Sequence, residues 1–248
     1  MRERAAGAGV LQFFAMPVDL VVFGPHPDDI EIGLGATVAR HTDAGYAVGL
    51  CDLTRGELSS NGTLDERRAE ADAAARVLNA AWRENLAWPD GGITRTPELI
   101  RSAVEVIRRH RPRALAIPYW DDRHPDHRGA SDVLSVAAFT SGLRRYETGE
   151  SPWRAEWICY YFINDAAPPS FVVDVSACYE RKRQALACYR SQFAPRDGGV
   201  NTRLTAPTFQ QLIESRDAQF GALAGVAFAE GVVVKEPLQR ATLLKQVP

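Results

Sequence analysis

Two short stretches of this sequence combine histidine with aspartate at spacings that suit a metal centre. The first contains His26, Asp28 and Asp29, and it directly follows the apolar run Val18–Phe23. That run is short, β-branched and ended by Gly-Pro, which predicts a buried strand. Open α/β sheets bind their ligands at the carboxyl ends of strands. One imidazole beside two carboxylates is a donor set that a divalent metal with an activated water molecule requires.

The second stretch, Tyr119–Arg128, contains His124, Asp126 and His127. It follows the compact apolar run Ala114–Pro118, which also predicts a strand. Because neighbouring parallel strands end at the same edge of a sheet, we expect the two stretches to meet there.

The spacing within these stretches predicts which side chains bind the metal. His26 and Asp29 are three residues apart at a predicted helix start, so they can face one point, and His127 can complete the set. A His-Asp-His triad with room for water is typical of an open catalytic zinc site. The oxygen ligand and the lack of a thiolate leave Fe2+, Mn2+ and Co2+ as alternatives.

The remaining ionisable residues of the two stretches predict acid–base roles. Asp28 would lie free beside the water and act as general base, passing the proton to a leaving amine. His124, as an imidazolium, could stabilise a developing oxyanion, and Asp126 could hold that ring and favour its protonated form. A single His-Pro-Asp is often only a helix-capping turn. Two such stretches at strand ends favour a functional site.

The order of predicted elements indicates an α/β fold. Strands and helices alternate through the first half of the chain, which predicts a mostly parallel sheet with helices on both faces. The 248 residues suit one large core, so we expect a single domain over 17–248, preceded by an extension over 1–16. Arg2 and Arg4 followed by apolar residues faintly resemble a signal peptide. We interpret Met1–Ala15 as a dispensable extension or a misassigned start.

Composition excludes several classes of partner. The net charge is −2, which does not favour nucleic-acid binding. No apolar run approaches the ~18 residues that a membrane span needs. The four cysteines form no Cys-x-x-Cys pair and are expected to be free thiols, which fits a reducing cytoplasm. The first loop lacks Gly-x-Gly-x-x-Gly, so no pyrophosphate cradle is evident.

The two clusters, His-Pro-Asp-Asp at 26–29 and Arg-His-Pro-Asp-His at 123–127, resemble the LmbE-like (PIG-L) N-deacetylases. The resemblance extends from about Val18 to Leu238. It implies a Rossmann-like fold and a zinc enzyme that removes acetyl from N-acetylglucosaminyl compounds. By position it implies the same roles for the site residues, namely zinc ligands His26, Asp29 and His127, base Asp28, oxyanion stabiliser His124 and its acidic neighbour Asp126.

Three further motifs, Asp52–Leu58, Tyr189–Phe193 and Ala229–Gly231, resemble the bacillithiol-pathway branch of that family. The branch deacetylates N-acetylglucosaminyl L-malate, and by this resemblance Arg55 would contact the substrate. A homo-oligomer, a hexamer built from trimers, is implied in the same way. A chitooligosaccharide or a mycothiol precursor is the alternative substrate. A metal- or nucleotide-binding module without catalysis is the alternative class.

The sequence departs from the family pattern at one point. Some members place a tyrosine just before His-Pro-Asp-His, or on a later segment, to assist the oxyanion. Here Asp122 and Arg123 occupy the first place, and Phe209 is expected at the second. The metal and His124 are therefore expected to be the main groups that stabilise the oxyanion. His41 and His110 lie on predicted helix faces and are assigned no role.

Overall fold

The protein is represented by a computed structural model that describes residues 17–194, 198–239 and 242. The predicted extension over 1–16 lies outside the described residues. Among the helices of the described chain, none is both long enough and apolar enough to cross a bilayer.

Within the described residues, seven strands form one sheet. They are β1 (Leu20–Gly24), β2 (Val48–Thr54), β3 (Trp82–Trp88), β4 (Ala114–Pro118), β5 (Trp157–Tyr161), β6 (Phe171–Asp174) and β7 (Ala229–Val233). Their order across the sheet is β3-β2-β1-β4-β5-β7-β6. The first five are parallel, and β7 pairs antiparallel with both β5 and β6. The predicted mostly parallel sheet is confirmed.

In the part of the chain that the structure describes, seven helices cover the two faces of the sheet. They are α1 (Asp29–Asp43), α2 (Leu64–Val77), α3 (Pro97–His110), α4 (Pro125–Thr140), α5 (Tyr179–Cys188), α6 (Arg190–Phe193) and α7 (Pro207–Ala224). One apolar cluster packs side chains of α1, α2, α5 and α7 on the sheet, and a second packs α3 and α4 on the opposite face. Helices on both faces are therefore confirmed.

The two predicted clusters follow neighbouring strands. β1 and β4 are paired in register, with Leu20 opposite Ala114 and Val22 opposite Ala116. The chain runs from β1 to β2 on one side and continues from β4 to β5 on the other, so a crevice opens between the loops after β1 and β4. This topological switch point is where open parallel sheets hold their ligands.

Helix α1 carries the first cluster and is broken near its start. Leu34 has φ −134° and ψ 17°, which is not helical. The turn before the break lies very close to the sheet, because a Cβ atom on Gly33 would come within 2.3 Å of the Tyr161 ring. Past the break, the backbone N–H groups of residues 36 and 37 donate to the carboxylate of Glu230 at 3.1 and 2.6 Å. The break thus has its own buried cap.

Candidate metal centre

The three predicted metal ligands converge at the crevice. Asp29 Oδ2 lies 3.0 Å from His26 Nδ1 and 3.2 Å from His127 Nε2. Ligand atoms about 2.0–2.1 Å from one tetrahedral ion lie about 3.3 Å apart, so these separations suit a shared cation. Asp29 and His127 are buried, and His26 is only slightly exposed. The structure therefore places one carboxylate oxygen beside a nitrogen of each of the two imidazoles, as the ligands of one small divalent ion would lie.

Both imidazoles have a carboxylate on their outer nitrogen. His127 Nδ1 lies 3.1 Å from Asp122 Oδ1. His26 Nε2 lies 3.1 Å from Asp90 Oδ1 and 3.2 Å from Asp126 Oδ2. Metal-binding histidines almost always donate their second ring N–H to a carboxylate, carbonyl or water, which fixes the tautomer and the ring orientation. The donor set and its support therefore fit a divalent metal.

The third histidine, His124, lies against this group. Its ring stacks on His127 with centroids 4.7 Å apart, and a nitrogen of each of the three rings lies within 4.8 Å of the others. His124 is the N-cap of α4, where its Nδ1 accepts the backbone N–H of Asp126 at 3.2 Å. An accepting Nδ1 leaves the proton on Nε2 of a neutral ring. His124 is therefore placed as a neutral hydrogen-bond donor.

The Asp126 carboxylate makes its hydrogen bonds to groups other than the His124 ring. Its oxygens accept the backbone N–H groups of Gly91 at 2.7 Å and Ile93 at 3.1 Å, and one of them contacts His26. Burial and then the nearby His127 lower the pKa of His124, which opposes the imidazolium. The structure therefore does not bring the Asp126 carboxylate into a hydrogen bond with the His124 ring, because the first turn of α4 directs this carboxylate toward the turn after β3.

Asp28 is buried beside the three ligands, and its side chain does not cap helix α1. It is the N-cap of α1 but makes no side-chain cap hydrogen bond, and its Oδ2 has no hydrogen-bond partner. Burial raises the pKa of Asp28 to about 7, against the lowering influence of Arg67, whose Nη2 lies 3.6 Å from Oδ2. Its φ of 113° is a strained conformation for a residue with a side chain. A simple capping turn explains none of these features.

A cavity of about 380 Å³ opens above this group. Its outer wall includes Leu58 and Ser59 from the loop after β2, Gln192 from α6, Leu204 from the segment before α7, and Phe209 from the first turn of α7. Phe209 brings no hydroxyl to the site.

Arg55 does not enter this cavity. It is exposed and lines a neighbouring cavity together with Asp52 and Arg68. The arginine of the site is Arg67, which donates through Nη2 to the carbonyl of Pro27 at 2.5 Å. The predicted substrate contact by Arg55 is not brought together with the other site residues, because the loop after β2 directs this side chain away from the crevice.

Sequence reasoning missed the groups that support the ligands. Asp122 accepts the backbone N–H of His124 at 2.8 Å and both the backbone and amide N–H groups of Asn164 at 3.0 and 3.1 Å. Asp90 accepts the backbone N–H of Leu58 at 2.8 Å. Asp122 was visible within the second cluster, whereas Asp90 reads as part of a Pro-Asp-Gly-Gly turn and Asn164 as part of a plain loop. Only the fold shows that these three residues reach the site.

The charges of the metal-free site are strongly coupled. Burial opposes the protonated form of His127, but Asp29 and Asp122 outweigh it and raise its pKa to about 9. Burial also opposes protonation of His26, yet its hydrogen bonds to three carboxylates raise its pKa well above the ordinary value. The same contacts lower the pKa of Asp29 in spite of its burial. Both rings therefore carry protons near neutral pH when no cation is bound.

Metal binding is accordingly expected to release protons. The apparent affinity for Zn2+ or Co2+ should rise as the pH rises from 6.5 toward 9, by up to about tenfold per pH unit for each proton displaced. Titrations at several pH values in one buffer series measure the slope. The His124→Ala variant is the control and should keep the same slope, because the pKa of that ring is lowered. An affinity that does not change with pH would contradict the assigned ligands.

Known proteins resemble this chain over nearly its whole length. The sequence profile of the PIG-L family, described as GlcNAc-PI de-N-acetylase, matches residues 21–138, which include both clusters. The crystal structure of the conserved protein TT1542 from Thermus thermophilus is similar with a TM-score of 0.84 and 36% identity, covering 92% of this chain and 100% of that one.

Two curated relatives extend the comparison. Diacetylchitobiose deacetylase from Thermococcus kodakarensis is 29% identical over 223 residues, covering 84% of this chain and 79% of that protein. The 1D-myo-inositol 2-acetamido-2-deoxy-alpha-D-glucopyranoside deacetylase 2 from Saccharopolyspora erythraea is 28% identical over 234 residues, covering 70% of this chain and 83% of that protein. The family match spans both site clusters, so the chain resembles the PIG-L family over residues 21–138 and these two deacetylases over most of its length.

Proposed function

We propose that this protein is a metal-dependent hydrolase that removes the acetyl group from an N-acetylglucosaminyl conjugate. The observation that carries the proposal is the pair of imidazoles around Asp29, each backed by a carboxylate, with the Asp28 carboxylate beside them, whose Oδ2 accepts no hydrogen bond. The curated relatives that the chain resembles carry the names of deacetylases of acetamido sugars, which supports this reaction class.

The metal would be held by His26, Asp29 and His127. Zinc is the proposed ion, with Fe2+, Mn2+ and Co2+ as alternatives, since the donors are nitrogen and oxygen. When bound, such an ion lowers the pKa of water and polarises a carbonyl group. The outer nitrogens of the two ligating rings are held by Asp126 and Asp122.

The proton transfers are assigned to two other residues. Asp28 takes a proton from the attacking water and later gives it to the leaving amine, for which a pKa of about 7 is well suited. His124 donates its Nε2–H to the oxygen of the acetyl group as negative charge develops there. The backbone N–H of Asp126 serves this role by keeping Nδ1 of His124 an acceptor. Charge stabilisation therefore needs neither an imidazolium nor a tyrosine.

For the conjugate itself we propose N-acetylglucosaminyl L-malate, the substrate of the bacillithiol pathway. This choice is supported by the motifs Asp52–Leu58, Tyr189–Phe193 and Ala229–Gly231. The names of the relatives support a chitooligosaccharide or a glucosaminyl inositol as the alternatives. We also propose a homo-oligomer, by resemblance to the family.

The proposal predicts acetate release by metal-loaded protein. Protein stripped with a chelator and reloaded with Zn2+ should release acetate from N-acetylglucosaminyl L-malate at least tenfold faster than from diacetylchitobiose or the glucosaminyl inositol. The stripped protein is the control and should be inactive. Faster turnover of either alternative would overturn the malate conjugate alone. Acetate release from none of the three, with metal bound, would contradict the deacetylase assignment and favour a binding module.

A further inference from the structure

A buried guanidinium on α7 joins two segments that hold the metal ligands. The side chain of Arg216 is only 9% exposed. Its Nη2 donates to the carbonyl of Ile32 at 2.7 Å, and its Nη1 donates to the carbonyls of Ile163 at 2.9 Å and Phe162 at 3.3 Å. The three acceptors lie on two separate stretches, the first turns of α1 and the chain that leaves β5.

The first contact exists because α1 is broken. In an unbroken helix the carbonyl of Ile32 would accept the N–H of Ala36 four residues on. That N–H instead donates to Glu230 at 3.1 Å, which leaves the carbonyl of Ile32 for Arg216. Ile32 lies only three residues after Asp29, so the contact fixes the helical turn that presents the carboxylate ligand.

The second contact leads to the other side of the metal site. Ile163 precedes Asn164, whose backbone and amide N–H groups donate to Asp122. Asp122 in turn contacts Nδ1 of His127 at 3.1 Å. The guanidinium of Arg216 therefore lies between the carrier of Asp29 and the carrier of the group that orients His127.

Arg216 is itself held in one orientation. Its Nε donates to Asp217 Oδ1 at 3.0 Å, and Asp217 Oδ2 accepts from Lys182 Nζ at 2.6 Å and from the hydroxyl of Tyr179 at 3.0 Å. Lys182 also pairs with Glu230 at 2.7 Å. Lys182, Asp217 and Glu230 are almost fully buried. These opposite charges compensate one another, and removing one partner would leave another buried without a counter-charge.

We propose that Arg216 is a positioning residue of the metal site. It sets the separation between the first turns of α1 and the segment after β5, and so the separation between Asp29 and the supported ring of His127. Only a planar fork of fixed donors can contact both stretches at once, and the single ammonium of a lysine cannot reproduce that geometry. The role rests on the metal site proposed above.

The test compares two buried arginines that each donate hydrogen bonds to several backbone carbonyls. Arg108 on α3 is 1% exposed and donates to the carbonyls of Ser141, Leu143 and Tyr146. It packs on the face of the sheet opposite α1. Arg108→Lys is therefore the matched control for Arg216→Lys, because each change replaces a fork that satisfies several carbonyls. Both variants should unfold at a lower temperature than the parent protein.

Only one of the two variants should change the metal site. For Arg216→Lys we expect Co2+ affinity to fall by about 10- to 100-fold, the range for lost ligand support, and the visible spectrum of bound Co2+ to change. Arg108→Lys should bind Co2+ like the parent and give the same spectrum. Arg216→Gln, which keeps a donor without a buried charge, carries the same expectation if the lysine variant does not fold.

The possible outcomes separate the positioning role of Arg216 from general destabilisation and from the absence of a metal site. Arg216 variants that lose stability but keep the parent affinity and spectrum would overturn the positioning role. An equal loss of affinity in Arg108→Lys would also overturn it, since the effect would then follow general destabilisation. A parent protein that binds no Co2+ would instead overturn the proposed metal site. Because the readout is binding, the result does not depend on which conjugate is deacetylated.

Discussion

The Asp28→Asn variant is expected to lose about 10²- to 10⁴-fold in kcat while still binding metal, because an amide cannot accept the proton of the attacking water. The change keeps the size and shape of the side chain, so the three ligands and their supporting carboxylates should remain in place. Acetate release and metal content, measured on the same preparation, check the expectation. A variant that keeps half of the parent rate would show that Asp28 is not the base.

Replacing Asp28 by glycine should raise the stability of the folded protein. Asp28 combines a strained φ of 113° with a buried carboxylate whose Oδ2 lacks a hydrogen-bond partner. Backbone strain of this kind costs about 1–3 kcal/mol, and glycine adopts the conformation freely. Asp28→Gly should therefore unfold at a higher temperature than the parent when metal is removed from both, even though it is inactive.

The pH dependence of that gain follows from the raised pKa. A carboxyl group whose folded pKa is raised to about 7 contributes stability below its ordinary pKa and loses it as the pH rises toward 7. The advantage of Asp28→Gly over the parent should consequently be larger at pH 8 than at pH 5. A larger advantage at pH 5 would mean that the native protein favours the ionised carboxylate.

The site residues that could be predicted from the sequence are those that lie close together in the chain, directly after a strand. His26, Asp28 and Asp29 lie within four consecutive positions after one strand, and His124 and His127 lie at the start of a helix after another. Strand periodicity and the rule for the carboxyl ends of parallel strands were enough to bring them together. The mostly parallel sheet followed from the same alternation of elements.

Other features could not be predicted from the sequence, because the direction of a side chain and the break in a helix depend on packing against distant residues. Asp126 and His124 are two residues apart, yet the carboxylate turns to backbone donors at Gly91 and Ile93. Arg55 lies exposed on the loop after β2, whereas the buried Arg67 lies on α2, and only the fold shows which of the two lines the cavity above the ligands. The break in α1 at Leu34 depends on buried partners from distant β7 and α7, which no local pattern near that residue announces.

His127→Ala and His124→Ala form the second decisive comparison, because the two rings stack at 4.7 Å but have different partners. His127 has Asp29 on one nitrogen and Asp122 on the other, which is the arrangement of a supported metal ligand. His127→Ala should therefore lower metal affinity by more than about 100-fold, beyond the range for lost support, and abolish acetate release with it.

His124→Ala should behave in the opposite way. Its Nδ1 is occupied by the backbone N–H of Asp126, so removal of the ring takes away a donor to the substrate and leaves the three ligands intact. We expect near-normal metal content with kcat reduced by about 10²- to 10³-fold. Asp122→Asn should lie between the two, with metal affinity lowered by about 10- to 100-fold. Equal metal loss in both histidine variants would show that His124 is a ligand, and that Asp29 pairs with the rings only as a counter-charge.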